Sequence, residues 1–136
     1  RSPLPVNGLI GRATEQGRID DAVTRDGLAT AYIGEHLVPW GTSRRLHPSI
    51  GKLWRTIQGR HCAQLAHEIG GATATAWEGD DTDADYWAYH VLNCRGMSLG
   101  GGTDEIQRNT LGERVLGLPR EPGPDRNTPF RDLPAN

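Results

Sequence analysis

SIGKLWRTIQGRHCAQLAHEIGG, residues 49–71, decides the fold. Ile50, Leu53, Trp54, Ile57, Leu65 and Ile69 fall on one broad side of a helix. Pro48 suits the first helical turn, where a missing N–H costs nothing. Gly70 and Gly71 supply the permissive backbone that stops a helix. No stretch of the chain alternates apolar and polar residues for long, so no strand is predicted.

Outward from this helix the pattern repeats. Upstream, Asp20 and Asp21 suit a helix N-terminus. Val23, Leu28, Ala31, Tyr32, Leu37 and Val38 continue that helix until Pro39, which is expected to end it. Before it, a helical turn or two is predicted around Leu9 to Glu15. Downstream, Gly79 to Asp83 reads as an acidic loop. Tyr86 to Met97 then forms a helix ending near Gly96, and another runs from Thr103 to about Leu116. The sum is an all-α, four-helix up-and-down bundle over residues 1–118, followed by an extended Pro-, Asp- and Arg-rich tail over 119–136.

Composition narrows the function. A formal net charge of -2 argues against nucleic acid and anionic membrane as main partners. No apolar run approaches the ~20 residues that span a bilayer. The chain opens on Arg1 rather than Met and is read as a fragment. Cys62 and Cys94 are isolated in helical segments, which suits reduced structural thiols of a cytoplasmic protein. His36, His47, His61, His67 and His90 include no i,i+4 metal pair with an intervening Glu, so no metal site is expected. Ser49 and Ser98 lack the strand–turn–helix elbow of a nucleophilic serine. The tryptophans, three of them on helical faces, read as core or interhelix packing. Lys52 is the only lysine among 15 basic residues. Such arginine bias, with many glycines and alanines, points to a GC-rich bacterial genome.

One stretch asks for chemistry. In GGGTDEIQRN, residues 100–109, three glycines run onto a helix N-terminus. Free amides and the helix dipole favour an acceptor there, and glycines let a phosphate or a flat ring approach. The plain alternative is a flexible turn with Thr103 as N-cap. No Gly-Lys-Ser/Thr follows, so this is not a Walker loop. Asp104 and Glu105 already complement the dipole and would repel a pyrophosphate. Glu105 better suits the hydroxyls of a ribose. Glu105 and Arg108 form an i,i+3 surface pair.

From Gly100 to Pro122 the sequence resembles the C-terminal helix of acyl-CoA dehydrogenases. Gly102, Thr103, Glu105, Ile106 and Arg108 fit the family's GT-x-E-I-x-R core, and Leu116 to Pro119 fit the run that follows. DDAVTRDGLATAYIGEHL and SIGKLWRTIQGRHCAQLAHEIGG resemble the family's preceding helices, and DRNTPFRDL extends the likeness into the tail. The resemblance is strongest to bacterial, including actinobacterial, members that degrade lipids and steroid side chains.

The resemblance implies FAD, an acyl-CoA substrate oxidised to the trans-2-enoyl-CoA, and electron-transferring flavoprotein as electron acceptor. It implies assembly into oligomers through these helices. It also implies that the bundle's first helix lies upstream of this chain. Carried over, Gly100, Gly101 and Gly102 pass close to the flavin, and Gly102, Thr103 and Glu105 contact it. Gly70 and Gly71 would meet the FAD of a neighbouring subunit. His67 stands where many members have Gln, and Gly101 stands where many have the catalytic Glu. No catalytic residue is therefore assigned. Three readings follow: part of the enzyme, a non-catalytic FAD-supporting subunit of a mixed assembly, or a stand-alone helical interaction module.

Overall fold

The computed structural model describes residues 4–75, 82–120 and 128–132. Among them are five α-helices and no strand: α1 (Val6–Glu15), α2 (Ala22–Ser43), α3 (Pro48–Gly70), α4 (Thr82–Asn93) and α5 (Asp104–Arg114). Four of these, α2 to α5, are the helices read from the sequence. The fifth, α1, is a full ten-residue helix rather than a turn or two. Gly8 and Gly11 had broken its pattern, but Leu9 and Ala13 are fully buried against α3 and hold it in place. The acidic loop is shorter than expected, because Thr82 and Asp83 already belong to α4. Residues 79–81 and Trp77 lie outside the described residues.

α3 packs against every other helix. The core joins Val6, Leu9 and Ala13 of α1, Leu28 and Ala31 of α2, Cys62, Leu65, Ala66 and Ile69 of α3, and Trp87 of α4. Each large aliphatic side chain buried this way contributes roughly 1.5–3 kcal/mol. The apolar face read in the first half of α3 is not this core, since Ile50 and Ile57 are exposed. The inward positions there include Thr56, whose hydroxyl donates to Lys52 O at 3.1 Å.

α2 and α3 run antiparallel. His61 Nε2 lies 2.9 Å from Gly27 O, Gln58 Nε2 donates to Ala31 O at 2.7 Å, and Trp54 Nε1 donates to Gly34 O at 3.1 Å. Gly27 and Gly34 permit this closeness: a β-carbon on Gly27 would meet Leu65 Cδ1 at 2.8 Å, and one on Gly34 would collide with the Gln58 amide. Small residues therefore face α3, while Val23 is 77% exposed.

Pro39 does not end α2, which continues to Ser43. An internal proline removes one backbone hydrogen bond. Past it the backbone ladder resumes, with Arg44 N donating to Trp40 O at 3.1 Å, and Thr42 Oγ1 and Ser43 Oγ also donate to Val38 O and Trp40 O, at 3.1 and 2.8 Å. The expected acidic start holds: Asp21 caps α2, accepting from Thr24 N and Oγ1, both at 2.8 Å. These bonds lower its carboxyl pKa.

Candidate functional site

The chain from α4 to α5 makes a tight corner. A 3-10 turn over Gly96–Ser98 leaves α4, and Gly96 O accepts from both Leu99 N and Gly100 N, at 3.1 and 3.0 Å. Gly101 and Gly102 then take φ of 70° and 91°, the left-handed region where a β-carbon is strained. Thr103 caps α5, its Oγ1 accepting from Ile106 N at 3.3 Å. Gln107 folds back so that Nε2 donates to Gly101 O at 2.8 Å, filling the space where a β-carbon of Gly102 would lie. The amides of Gly101, Gly102 and Thr103 make no hydrogen bond to the described residues. Gly101 is exposed, with nothing within 4 Å of its missing β-carbon.

The two carboxylates after the glycines part company. Asp104 is not simply a dipole partner in solvent, as the sequence suggested. Its side chain is 6% exposed, and Oδ1 accepts from Lys52 Nζ at 2.6 Å while Oδ2 lies 3.5 Å from Arg60 Nη2. The Lys52 hydrogen bond, first among several effects, lowers its pKa. Glu105 points outward, 76% exposed and 3.7 Å from Arg108. Its own backbone N–H and the Thr103 hydroxyl lower its pKa. Glu105 is thus the exposed carboxylate of the two, while the charge of Asp104 is matched by Lys52 and Arg60.

Gly70 and Gly71 sit at the far end of α3. At 1.5 Å per residue, Lys52 and Gly70 are roughly 27 Å apart along the axis. Within one chain the two predicted halves of the cofactor site are not brought together. Gly71 is exposed with φ 56°, and its amide bonds His67 O. Gly70 is buried, and the place of its β-carbon is taken by the Arg12 guanidinium and by Ala74 Cβ. Arg12 Nε donates to Ala66 O at 3.3 Å and its guanidinium lies 4.6 Å from the Trp87 ring centre. Arg18 Nη1 donates to Glu68 O at 3.3 Å. Both cations meet carbonyls at the negative end of the α3 dipole.

Sequence reasoning missed Arg12, Lys52, Arg60 and Gln107. The sole lysine in an arginine-rich chain was the available signal for Lys52. No group of three or more His, Cys, Asp or Glu that could hold a metal occurs among the described residues. Burial pushes the Cys62 thiol up to about 11, so it stays protonated. Two cavities open elsewhere. One of about 480 Å³ lies at the α2–α3 turn between Trp40, Leu46, Ile50 and Trp54. The other, about 360 Å³, lies between Gly34, Gln58, Cys62 and Met97. Neither is lined by Gly70, Gly71 or Gly100 to Gly102, though Met97 of the turn leaving α4 borders the second.

Residues 24–116 match the family model described as acyl-CoA dehydrogenase, C-terminal domain. The chain is similar to acyl-CoA dehydrogenase IpdE1 of Mycolicibacterium smegmatis, 29% identical over 121 residues that cover 85% of this chain and 30% of that protein. It is similar to acyl-CoA dehydrogenase IpdE1 of Mycobacterium tuberculosis at 29% over 126 residues, covering 85% of this chain and 32% of that protein. The chain thus spans about a third of the length of these relatives. No solved structure matches it.

Proposed function

The chain belongs to the acyl-CoA dehydrogenase family, through its C-terminal domain, and on that premise we propose that it is part of a FAD-dependent enzyme. The reaction is the α,β-oxidation of an acyl-CoA thioester to the trans-2-enoyl-CoA, in fatty-acid or steroid side-chain breakdown. FAD, when bound, supplies the oxidant that takes the β-hydrogen with its electron pair, and electron-transferring flavoprotein collects the electrons. The domain covers residues 1–118, and 119–136 form its tail. The location proposed is cytoplasmic. Among the described residues no helix is long and apolar enough to cross a membrane.

The observation that carries this reading is the trio of amides at Gly101, Gly102 and Thr103, without a hydrogen-bond partner among the described residues, on exposed to half-buried backbone ahead of a capped helix. They fit the cofactor: side-chain-free backbone permits close approach, and the amides can donate to acceptor atoms of the flavin nucleotide. Gly100 shapes the entry to that turn, and Glu105 can accept from ribityl or ribose hydroxyls. The Gly70–Gly71 corner, far from this turn along α3, serves a FAD bound by a second subunit, with Gly71 as the exposed member. Exposed Tyr32, Ile33, Trp40, Leu92 and Leu116 give the chain apolar surface for such an assembly.

A non-catalytic subunit of a heteromeric dehydrogenase is the second reading, favoured by one observation. Gly101 occupies the position of the family's catalytic Glu and cannot take a proton. In either reading no residue of this chain is assigned as the base that removes the α-proton.

The test is to purify the complete natural protein and record its flavin spectrum, then to supply acyl-CoA with an artificial electron acceptor. Bound flavin with enoyl-CoA formation supports the enzyme. Bound flavin without turnover, restored by a partner subunit, supports the second reading. No flavin overturns both. The isolated chain is expected to bind FAD weakly, because much of the seat lies elsewhere. Submicromolar affinity in a FAD titration would contradict that.

A further inference from the structure

Resting on that reading, we infer that Lys52 is the positioning residue of the flavin-contacting turn, acting from α3 as a clamp across its two ends. Lys52 Nζ donates to Ser98 O at 3.2 Å on the entering side and to Asp104 Oδ1 at 2.6 Å on the leaving side. One ammonium thus bridges residues that flank the whole Leu99–Thr103 segment. The side chain is only 15% exposed and the carboxylate 6%, so solvent screens the pair weakly.

The neighbours reinforce the grip. Thr56 Oγ1, one turn along α3, lies 3.4 Å from Met97 O and shares between it and Lys52 O its single proton. Arg60 adds a second cation 3.5 Å from Asp104 Oδ2. At the outer side Gln107 takes Gly101 O. The carbonyls of Gly96, Met97, Ser98 and Gly101 are therefore occupied, and the amides of Gly101, Gly102 and Thr103 are left as donors. Glycines at φ 70° and 91° have many other conformations open to them, so without a tie at each end the turn would lose this arrangement to entropy. Lys52 makes the donors a fixed set before the flavin arrives, which is preorganisation rather than contact. Arginine is no equal substitute: its planar fork cannot reproduce a point donor that serves a carbonyl and a carboxylate at right positions together.

The complete natural protein is stripped of flavin and titrated with FAD, with hydrogen exchange followed in the FAD-free form at the hydrogen-bonded amides that bracket the turn, Leu99, Gly100, Ile106 and Gln107. Three variants are compared: Lys52→Met, Lys52→Arg, and Lys52→Met with Asp104→Asn. The double variant leaves no buried carboxylate without its lysine and guards against a simple failure to fold. Lys52→Met and the double variant are expected to weaken FAD about tenfold or more. Exchange at Leu99, Gly100, Ile106 and Gln107 is expected to speed up, while α1 and the second half of α3 keep wild-type protection. Lys52→Arg is expected to fall between wild type and Lys52→Met. If FAD affinity is unchanged while the turn exchanges faster, Lys52 is structural only and the inference fails. It fails equally if the double variant folds, binds FAD as wild type does, and shows no change at the turn. A wild type that takes up no FAD overturns the reading together with this inference.

Discussion

The two glycine corners look alike in sequence and differ in what the glycines do. At Gly70 the absent side chain makes room inside the molecule, for the Arg12 guanidinium and Ala74. At Gly101 it makes room outside, since nothing lies within 4 Å and the backbone is exposed. The first corner is closed by a cation pressing in from α1. The second is held open by a cation pulling from α3. A glycine pair at a helix end is therefore evidence of close approach, but not of what approaches.

The comparison can be broken by substitution. Gly70→Ala is expected to have the largest effect, because a β-carbon there meets a buried guanidinium rather than solvent. A loss of about 2 kcal/mol in urea unfolding, with unchanged m-value, is the expected outcome. Shortening the obstruction sharpens the point: with Arg12→Ala in the background, Gly70→Ala should cost measurably less, as a double-mutant cycle reads. Equal costs in both backgrounds would mean that Arg12 is not what forbids the side chain.

Gly101→Ala comes next, losing about 1 kcal/mol from left-handed strain alone and no packing. Its signature is a weaker FAD titration at nearly wild-type stability. If Gly101→Ala proved the more destabilising of the two, the contrast drawn above would be reversed.

Acid offers a finer measurement. Asp104 titrates below its unfolded value, so its pairing stabilises the fold above the ordinary carboxylate range. That stability is lost as pH falls through the lowered value. Asp104→Asn is expected to flatten the decline of Tm on the acid side and to leave its slope near neutrality unchanged. The smallest effect concerns Cys62. A buried thiol raised to about 11 should resist a disulfide reagent at neutral pH and react fully only after denaturation. Rapid native labelling would show that the α2–α3–α4 interior opens readily.

Local chemistry was legible in the sequence. The Asp21 and Thr103 caps, Pro48 at the start of α3 and the stop at Gly70–Gly71 all follow from residue type and position. What joins distant segments was not. Lys52 finds Asp104 and Arg12 finds Ala66 across more than fifty residues, and no periodicity encodes such a meeting. The helical stripe misled in α3 because a helix touched on several sides needs small and polar residues inward, so Thr56 is buried while Ile57 is not. Pro39 misled because a proline removes one rung of the ladder and not the rest, and the backbone bonds beyond it carry α2 on to Ser43. α1 was underestimated because Gly8 and Gly11 dilute a pattern carried by Leu9 and Ala13.

The spacing of Gly27 and Gly34 has a mechanical consequence. The two notches lie two helical turns apart and admit Leu65 and Gln58 in a single alignment. Sliding α2 along α3 by one turn would drive a β-carbon into each of those side chains. The hairpin therefore behaves as a keyed joint: it can come apart, but it cannot creep, and whatever rests on α3 inherits a fixed footing.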